Sequence, residues 1–475
     1  MKLEKILDGI EVKGQIPDVE VTDVTQNSKA VKEGSLFVCI KGNSFDGHNF
    51  ASEMLQNGAA AVVCERDLGL EKQVVVENTR ALFSSMCANF YSRPAEKLKI
   101  VGITGTNGKT TTAFLVKQIL ENAGKKVGLI GTIQNMVGDE IYPAKFTTPD
   151  PQELQKLFSL MVEADCEYCV MEASSQALAQ ERLNGVHFDV AAFSNLTQDH
   201  LDYHKTWENY FNAKRKLFEN CDIAITNADD ENGLKIVDGL PCKVLTYAVN
   251  TNNADYVAKA VNLTASGSRY EVVCDKIGRV NCPIPGRFSV YNSLCAVVIA
   301  LALGLEFNTV LASVPKRKGV KGRIEVVPTN KDFTIIIDYA HSPDGLKNIL
   351  SSLREITDSR IITVFGCGGD RDKTKRPLMG EIVSQLSDYA VVTSDNPRSE
   401  DPDAIIEDIL VGMKIPKKYY KVITNRKEAI KYAIENAKKG DIVLLAGKGH
   451  ETYQILKDGT IHFDEREVVA EILGE

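Results

Sequence analysis

The chain has no long apolar run and no dense cysteine pattern. Its 475 residues include no stretch that approaches the roughly 18 apolar residues of a membrane-spanning helix. The start, MKLEKILDGIEVKG, lacks the cationic head and apolar run of a secretory signal peptide. The 11 cysteines are scattered, unlike those of small disulfide-stapled secreted proteins. These absences favour a cytoplasmic protein without a membrane span.

Acidic residues outnumber basic residues in this chain. Lys and Arg number 56 against 64 Asp and Glu, so the formal net charge is −8. An acidic chain is a poor candidate for coating nucleic acid, although it can still form a local basic pocket for phosphates. Cys166 and Cys169 form a CxxC without a second pair, which favours buried thiols over a zinc site. We therefore expect no nucleic-acid partner. We also expect small-molecule partners and a monomer.

Short β-branched runs alternate with longer helical patterns, which is typical of parallel α/β sheets. The chain is too long for one hydrophobic core. We predict an α/β protein of three domains: a small N-terminal α/β domain, a central parallel-sheet ATPase domain with a P-loop, and a C-terminal Rossmann-like α/β domain. In the last domain, polar segments follow the predicted strands, where such sheets bind ligands. The predicted boundaries are 1–97, 98–323 and 324–475.

The strongest motif is GITGTNGKTTT, residues 102–112, which lies between an apolar strand and an amphipathic helix. Glycines let the backbone aim its N–H groups at phosphate oxygens, and the helix N-terminus adds partial positive charge. Lys109 can reach the β and γ phosphates of ATP, and the Thr110 hydroxyl suits Mg²⁺. The spacing departs from strict GxxxxGK[ST], because Ile103 occupies the first glycine position. The predicted ATP-binding residues here are Gly105, Thr106, Asn107, Gly108, Lys109, Thr110 and Thr111.

Three further segments accompany this loop: MEASS after the strand YCV, NLTQDHLDYH, and YFNAKRKLF. Together with GTNGKTT, they resemble the Mur ligase family and its folylpolyglutamate synthetase relatives, which join a carboxylate to an amine with ATP. The resemblance implies that Thr110, Glu172 and His200 hold Mg²⁺, and that Lys214 is a carbamate able to bridge to metal. Lys216 is the alternative to Lys214. The expected catalytic residues are Lys109, Lys214, His200 and Glu172.

Two polar regions resemble the parts of the family that bind the UDP-linked precursor. The segment NSKAVKEGSLF places Ser28 where the uridine nucleotide is held, although the family more often has Asp-Ser-Arg than the Asn-Ser-Lys found here. Hydroxyls and an arginine further along suit the sugar, the pyrophosphate and the Glu carboxylates. The resemblance therefore implies that UDP-MurNAc-L-Ala-D-Glu is bound by Ser28, Thr147, Thr148, Ser174, Gln180 and Arg182.

The last domain contains the tetrapeptide DNPR, which by itself is an ordinary turn pattern between a strand and a helix. In the tripeptide-forming Mur ligases this position selects the incoming amino acid, and members that add diaminopimelate carry DNPR. Arg398 offers a planar fork for the distal carboxylate that lysine lacks, and its unpaired charge would disfavour lysine. By resemblance, the amino-acid pocket consists of Arg371, Asp395, Asn396, Pro397, Arg398, Gly447 and Glu451.

The resemblance also implies that Arg323, Asp338 and His341 approach the nucleotide. The expected activity is ATP- and Mg²⁺-dependent addition of meso-diaminopimelate to UDP-MurNAc-L-Ala-D-Glu through an acyl phosphate. The nearest alternative is a lysine-adding ligase of the same family, and a folylpolyglutamate-type ligase is more remote. A P-loop switch, motor or kinase would explain residues 99–124 but would leave DNPR, GKGHE and the N-terminal region without a role.

Overall fold

The computed structural model describes residues 1–42, 45–197, 199–264, 267–316 and 320–474. Within these ranges, none of the helices has both the length and the apolar character needed to span a bilayer. The fold is mixed α/β with parallel sheets, which confirms the predicted class. By contacts the chain divides into two compact units. Unit 1 is Met1–Tyr247 with Cys295–Glu306, and unit 2 is Ala248–Leu294 with Phe307–Glu475.

Unit 1 begins with a small parallel sheet whose strands follow chain order. Apolar residues of the strands and the flanking helices form its core, as in Leu36, Val63 and Phe83. The strands are Asp23–Thr25, Ser35–Val38, Ala61–Cys64 and Gln73–Val75, and the helices are Leu3–Ile6, Ala51–Gln56 and Thr79–Phe90, with 3-10 turns at Ser28–Ala30, Gly47–Phe50 and Pro94–Lys97.

The central sheet of unit 1 is parallel except at one edge, and Lys99–Thr104 lies between Phe188–Phe193 and Tyr168–Glu172. These strands are buried almost throughout, as parallel strands covered on both faces are. The strand order is Lys243–Ala248, Cys221–Asn227, Phe188–Phe193, Lys99–Thr104, Tyr168–Glu172, Val127–Ile130, Asn135–Val137 and Glu140–Tyr142. The helices are Lys109–Asn122, Pro151–Glu163, Ser175–Ala179, Leu201–His204, Trp207–Arg215 and Gly233–Ile236, with a 3-10 turn at Lys216–Asn220, and Arg287–Ala302 runs through the boundary of the units.

Unit 2 contains an antiparallel meander and a sheet that is parallel except for its first edge strand. The meander strands are Tyr256–Thr264, Gly267–Val273 and Ile277–Cys282. The sheet order is Glu325–Val327, Thr334–Asp338, Ile442–Ala446, Ile361–Phe365, Tyr389–Val392 and Tyr420–Val422, and a hairpin pairs Tyr453–Leu456 with Gly459–His462. The helices are Phe307–Ser313, Pro343–Arg354, Lys375–Leu386, Pro402–Leu410, Arg426–Glu435 and Glu465–Leu473, with 3-10 turns at Val314–Lys316 and Lys417–Tyr419.

Candidate active site

The phosphate loop, Gly105–Gly108, joins the strand Lys99–Thr104 to the helix Lys109–Asn122. Gly105 has φ +143°, a conformation that L side chains rarely adopt. A Cβ at this position would lie 1.9 Å from Ser194 Oγ, so only glycine fits without a shift. The loop ends at the N-terminus of the helix Lys109–Asn122, where backbone N–H groups suit phosphate.

This loop is held by Asn195, which follows the neighbouring strand Phe188–Phe193, and by Tyr210 on the helix Trp207–Arg215. Thr106 N donates to Asn195 O at 2.8 Å, and Asn107 N donates to Asn195 Oδ1 at 2.9 Å. The Thr106 hydroxyl lies 3.0 Å from the Tyr210 hydroxyl. Lys109 Nζ donates to the carbonyl of Thr106 at 2.9 Å, so its charge lies over the loop. The sequence did not single out Asn195 or Tyr210, although both lie in the segments that resemble the family.

Glu172 and Thr110, two of the predicted metal ligands, are in direct contact beside the phosphate loop. Glu172 ends the strand Tyr168–Glu172 and is only 1% exposed. Thr110 Oγ1 donates to Glu172 Oε2 at 2.9 Å. Thr132, which the sequence did not single out, donates from its N–H to Oε1 at 2.8 Å and from its hydroxyl to Oε2 at 3.0 Å. A buried carboxylate beside a hydroxyl provides hard oxygen donors, so Thr110 and Glu172 fit Mg²⁺.

His200, the third predicted metal ligand, lies on the loop after the strand Phe188–Phe193. Its Nε2 is 3.4 Å from Asp199 Oδ2, and 45% of its side chain is exposed. Among the described residues, no group of three or more His, Cys, Asp or Glu side chains could hold a metal ion. The fit to Mg²⁺ therefore rests on Thr110 and Glu172, and the role of His200 stays a prediction.

Lys214, in the helix Trp207–Arg215, is almost fully buried under the phosphate loop. Its Nζ donates to Gly105 O at 2.8 Å and lies 4.6 Å from the centre of the Tyr210 ring. Burial, assisted by the charge of Lys109, holds the pKa of Lys214 well below its usual value. Such an environment favours the neutral form of the amine. The neutral amine is the form that reacts with CO₂.

The predicted peptide- and sugar-binding residues lie together beside Glu172. Thr148 is buried, and its hydroxyl donates to Glu172 O at 2.7 Å and to Ser174 Oγ at 3.2 Å. Arg182 Nη1 donates to Thr148 O at 2.9 Å, and Arg182 Nη2 donates to Gln180 Oε1 at 2.7 Å. The structure therefore brings Thr148, Ser174, Gln180 and Arg182 together, and Thr148 ties this group to the backbone of Glu172.

Thr147 and Ser28 complete the predicted precursor-binding set. Thr147 Oγ1 lies 3.1 Å from Thr132 Oγ1, so it continues the hydroxyl chain that begins at Glu172. Ser28 begins a short 3-10 turn in the N-terminal part of unit 1, where Asn27 Oδ1 accepts a hydrogen bond from Lys29 N at 3.1 Å. The turn presents Ser28 half-buried, and its uridine contact stays a prediction.

In unit 2, the loop after the strand Tyr389–Val392 carries the DNPR segment. Asp395 is buried, and a Cβ on Gly447 would lie 2.7 Å from Asp395 Oδ2. Gly447 has φ +117°, so the close approach and the backbone both favour glycine. Arg398 Nη1 donates to Gly369 O at 2.8 Å, which brings the DNPR segment onto the loop that carries Arg371.

A buried lysine joins the DNPR loop to the GKGHE segment. Lys448 is fully buried, and its Nζ donates to Glu451 Oε2 at 3.0 Å and to Asn396 Oδ1 at 3.2 Å. Asn396 Nδ2 also donates to Glu451 Oε2 at 2.9 Å. The sequence placed Asn396 and Glu451 in one pocket but missed Lys448, because a lysine between two glycines gives no sign of burial.

The residues predicted to approach the nucleotide surround Tyr339. The Arg323 guanidinium lies 4.8 Å from the centre of the Tyr339 ring, and His341 Nδ1 lies 2.9 Å from Tyr339 O. Asp338 is buried and accepts hydrogen bonds from the N–H groups of Ile324 and Ala340, both at 2.8 Å. Asp338 thus holds its own loop, and its contact with a nucleotide stays a prediction.

Comparison with known proteins supports one family over the whole chain. Models for the Mur ligase catalytic, middle and glutamate ligase domains match residues 20–92, 103–300 and 322–449. The chain is 47% identical, over the full length of both chains, to a UDP-N-acetylmuramoyl-L-alanyl-D-glutamate–2,6-diaminopimelate ligase of Clostridium acetobutylicum. The chain belongs to the Mur ligase family.

Two further proteins agree with this family membership. The enzyme of the same name from Caldanaerobacter subterraneus subsp. tengcongensis is 46% identical to this Mur ligase, over 100% of this chain and 99% of the relative. A solved structure of a UDP-N-acetylmuramoyl-L-alanyl-D-glutamate–2,6-diaminopimelate ligase matches it with a TM-score of 0.74 and 32% identity. That match covers 100% of this Mur ligase and 99% of the solved chain. The resemblance proposed from the motifs is therefore confirmed.

Proposed function

We propose that this Mur ligase is a cytoplasmic ATP-dependent enzyme that adds meso-diaminopimelate to UDP-MurNAc-L-Ala-D-Glu, with release of ADP and phosphate, in peptidoglycan precursor synthesis. Relatives named for this ligation are 46 to 47% identical to it over nearly their whole length. The observation that carries the proposal is the contact of Thr110 with Glu172 beside the phosphate loop. It joins a phosphate-binding helix to a carboxylate able to hold Mg²⁺, next to residues suited to the acyl donor.

The first chemical step joins two anions and therefore needs positive charge. The γ-carboxylate of the D-Glu residue attacks the γ phosphorus of ATP, which gives an acyl phosphate and ADP. Lys109 and the N-terminus of its helix stabilise the negative charge on the phosphates. Thr110, Glu172 and His200, with carbamylated Lys214, would hold Mg²⁺, which neutralises charge on the phosphates when bound.

Lys214 is suited to carbamylation because burial, assisted by the charge of Lys109, lowers the pKa of its amine and so favours the neutral form. The neutral amine adds to the carbon of CO₂ and loses one proton, which leaves a carbamate of charge −1. This change turns a buried potential cation beside the carbonyl of Gly105 into an anionic oxygen ligand. Lys214, rather than the exposed Lys216, is therefore the proposed carbamylated residue.

The second step forms the amide bond. The amine of diaminopimelate attacks the acyl carbon, and the tetrahedral intermediate expels phosphate. Arg398, with Arg371, is proposed to bind the distal carboxylate, while Gly447 and Glu451 hold the amino and carboxyl ends at the stereocentre. Lysine lacks that carboxylate and would leave the Arg398 guanidinium without its partner.

The function can be tested by measuring phosphate release from ATP, Mg²⁺ and UDP-MurNAc-L-Ala-D-Glu, with one amino acid added at a time. We expect release with meso-diaminopimelate and little with lysine. Release with lysine alone would support a lysine-adding ligase instead. Release that does not depend on either amino acid would support a nucleotide switch or motor and contradict the proposed ligase activity.

A further inference from the structure

Two neighbouring loops of unit 2 are in direct backbone contact at the proposed amino-acid pocket. One follows the strand Ile361–Phe365 and carries Arg371, and the other follows the adjacent parallel strand Tyr389–Val392 and carries Arg398. Gly369 N donates to the carbonyl of Asn396 at 2.9 Å. A Cβ on Gly369 would lie 1.9 Å from Pro397 O, so no side chain separates the loops.

Both loops contain a non-glycine residue in the left-handed region. Asp370 has φ +53°, and Arg398 has φ +55°. Such conformations cost free energy and persist only where the surrounding structure holds them. The Asp370 carboxylate accepts hydrogen bonds from Ser399 N at 3.2 Å and from Ser399 Oγ at 2.6 Å, which forms one tie between the loops.

Glu400 forms a second and more buried tie. Its Oε1 accepts a hydrogen bond from the backbone N–H of Asp370 at 2.6 Å. The same carboxylate is paired bidentately with Arg376, at 2.8 Å to Nη2 and 3.1 Å to Nη1. The Arg376 guanidinium and the Asp370 N–H lower the pKa of Glu400 from its usual 4.5 to about 2. Glu400 therefore stays ionised at any working pH.

Arg376 fixes Glu400 to the body of the unit. Its side chain is 1% exposed and lies in the helix Lys375–Leu386. A second partner, Asp408 Oδ2, lies 2.8 Å from Arg376 Nη1 on the helix Pro402–Leu410. Glu400 thus connects a buried cation to the loop of Arg371, whereas Asp408 connects the same cation only to a helix.

We propose that Glu400 is a positioning residue of the amino-acid pocket: it ties the loop of Arg371 to the loop of Arg398, so that both guanidinium groups can bind one distal carboxylate. This inference rests on the proposed function and adds a residue that acts through Arg371 and Arg398 rather than by binding any of the three substrates itself. A displacement of about 1 Å in such groups can lower activity by about two orders of magnitude.

The test compares two amide variants of the same ion-pair network. In Glu400→Gln one carboxylate oxygen is replaced by an amide N–H₂ group, so the negative charge and the second oxygen that accepts from Arg376 are lost, and the tie that holds Asp370 N to Arg376 is weakened. We expect the KM for meso-diaminopimelate to rise about tenfold, with kcat and the KM for ATP within about twofold of wild type. Asp408→Asn removes a partner of Arg376 without touching the loop, and should leave every KM within about twofold of wild type.

The outcomes separate positioning from general weakening. An unchanged KM for meso-diaminopimelate in Glu400→Gln would overturn the inference, as would an equal rise in all three substrate KM values. If Glu400→Gln does not fold, Ser399→Ala weakens the more exposed tie between the same loops, because it removes the hydroxyl that donates to Asp370. It should raise only the KM for meso-diaminopimelate, by about threefold, and no rise there would overturn the inference. Wild-type protein that releases no phosphate with meso-diaminopimelate would instead overturn the proposed function itself.

Discussion

Lys214 and Lys216 are close in sequence but have opposite environments. Lys214 is buried against the carbonyl of Gly105, whereas the side chain of Lys216 is 41% exposed and lies 3.6 Å from Glu181. The sequence motif favoured Lys214 but could not exclude Lys216, because burial depends on which face of the helix meets the phosphate loop. The depressed pKa of Lys214 now gives a physical reason to prefer it.

We predict that Lys214→Ala loses turnover almost completely and that short carboxylic acids restore part of it, because they can replace the carbamate. Lys216→Ala is the matched control and should keep wild-type turnover. Carbon NMR after incubation with ¹³C-bicarbonate should show one carbamate signal that disappears in Lys214→Ala. Full activity in that variant would exclude the assigned role.

Arg398 is the residue on which the choice of amino acid depends. Replacement by alanine should weaken binding of meso-diaminopimelate by about 2 kcal/mol, or about 30-fold in affinity, because a charge-assisted pair is lost. Isothermal titration calorimetry with a non-hydrolysable ATP analogue and UDP-MurNAc-L-Ala-D-Glu present would measure this change. Arg354→Ala is the control: it breaks a partly exposed ion pair with Asp388 in the same unit and should leave the affinity for meso-diaminopimelate unchanged. Equal weakening in both variants would contradict a specific contact.

The Glu400 carboxylate makes a pH-dependent contribution to stability. Its folded pKa of about 2 lies below its usual 4.5, so the ionised pair stabilises the fold above about pH 4.5 and is lost as pH falls towards 2. The difference in free energy of unfolding between wild type and Glu400→Gln should therefore shrink between about pH 6 and about pH 3. Urea denaturation at each pH measures it, and a constant difference would contradict the assigned ion pair.

Some functional residues left no signal in the sequence. Thr132 contacts Glu172, Lys448 contacts Glu451, and Glu400 contacts Pro397, yet the sequence singled out none of the three, although Lys448 lies within the GKGHE segment. Their roles arise from the adjacency of strands that are far apart in the chain. Glu172 and Asn396 were predicted because they lie in motifs, and the structure supplies the partners that orient them.

At the scale of elements, the alternation of apolar runs and helical patterns predicted the parallel sheets and the loops that carry the polar segments. The strand before the phosphate loop and the helix after it were both confirmed. The order of the strands within each sheet was not predictable, because period and composition do not tell which strands pair. The position of Lys99–Thr104 between Tyr168–Glu172 and Phe188–Phe193 explains why Glu172 and Asn195 reach the phosphate loop.

The phosphate loop should tolerate no side chain at Gly105. Gly105→Ala places a Cβ against Ser194 Oγ and should lower turnover by about 100-fold, because the loop must shift. Gly124→Ala is the matched control: it also has positive φ, at +80°, but has nothing within 4 Å of the added Cβ. It should cost about 1 kcal/mol of stability and keep turnover.

Steady-state kinetics and thermal unfolding of both variants distinguish the backbone strain of positive φ from the contact between the added Cβ and Ser194 Oγ. Loss of turnover in Gly124→Ala equal to that in Gly105→Ala would show that positive φ, rather than the collision at the phosphate loop, is responsible. A Gly105→Ala enzyme with normal ATP affinity and turnover would contradict the assignment of the loop to phosphate.

At the scale of the whole molecule, motifs for a precursor, a nucleotide and an amino acid follow one another in the order of the family. Three family models match successive segments of the chain, while contacts divide it into two compact units. Unit 1 contains both the N-terminal sheet and the phosphate loop. The boundaries at 97/98 and 323/324 stay predictions, because linker composition alone does not mark where one core ends.

The most direct test of the central claim is the identity of the product. The purified protein would be given ATP, Mg²⁺ and UDP-MurNAc-L-Ala-D-Glu with equal concentrations of meso-diaminopimelate and lysine, and the product would be identified by mass spectrometry. We predict a product that contains diaminopimelate, formed with one phosphate released per amide bond. A product that contains lysine, or ATP hydrolysis without any new amide, would contradict the proposed function.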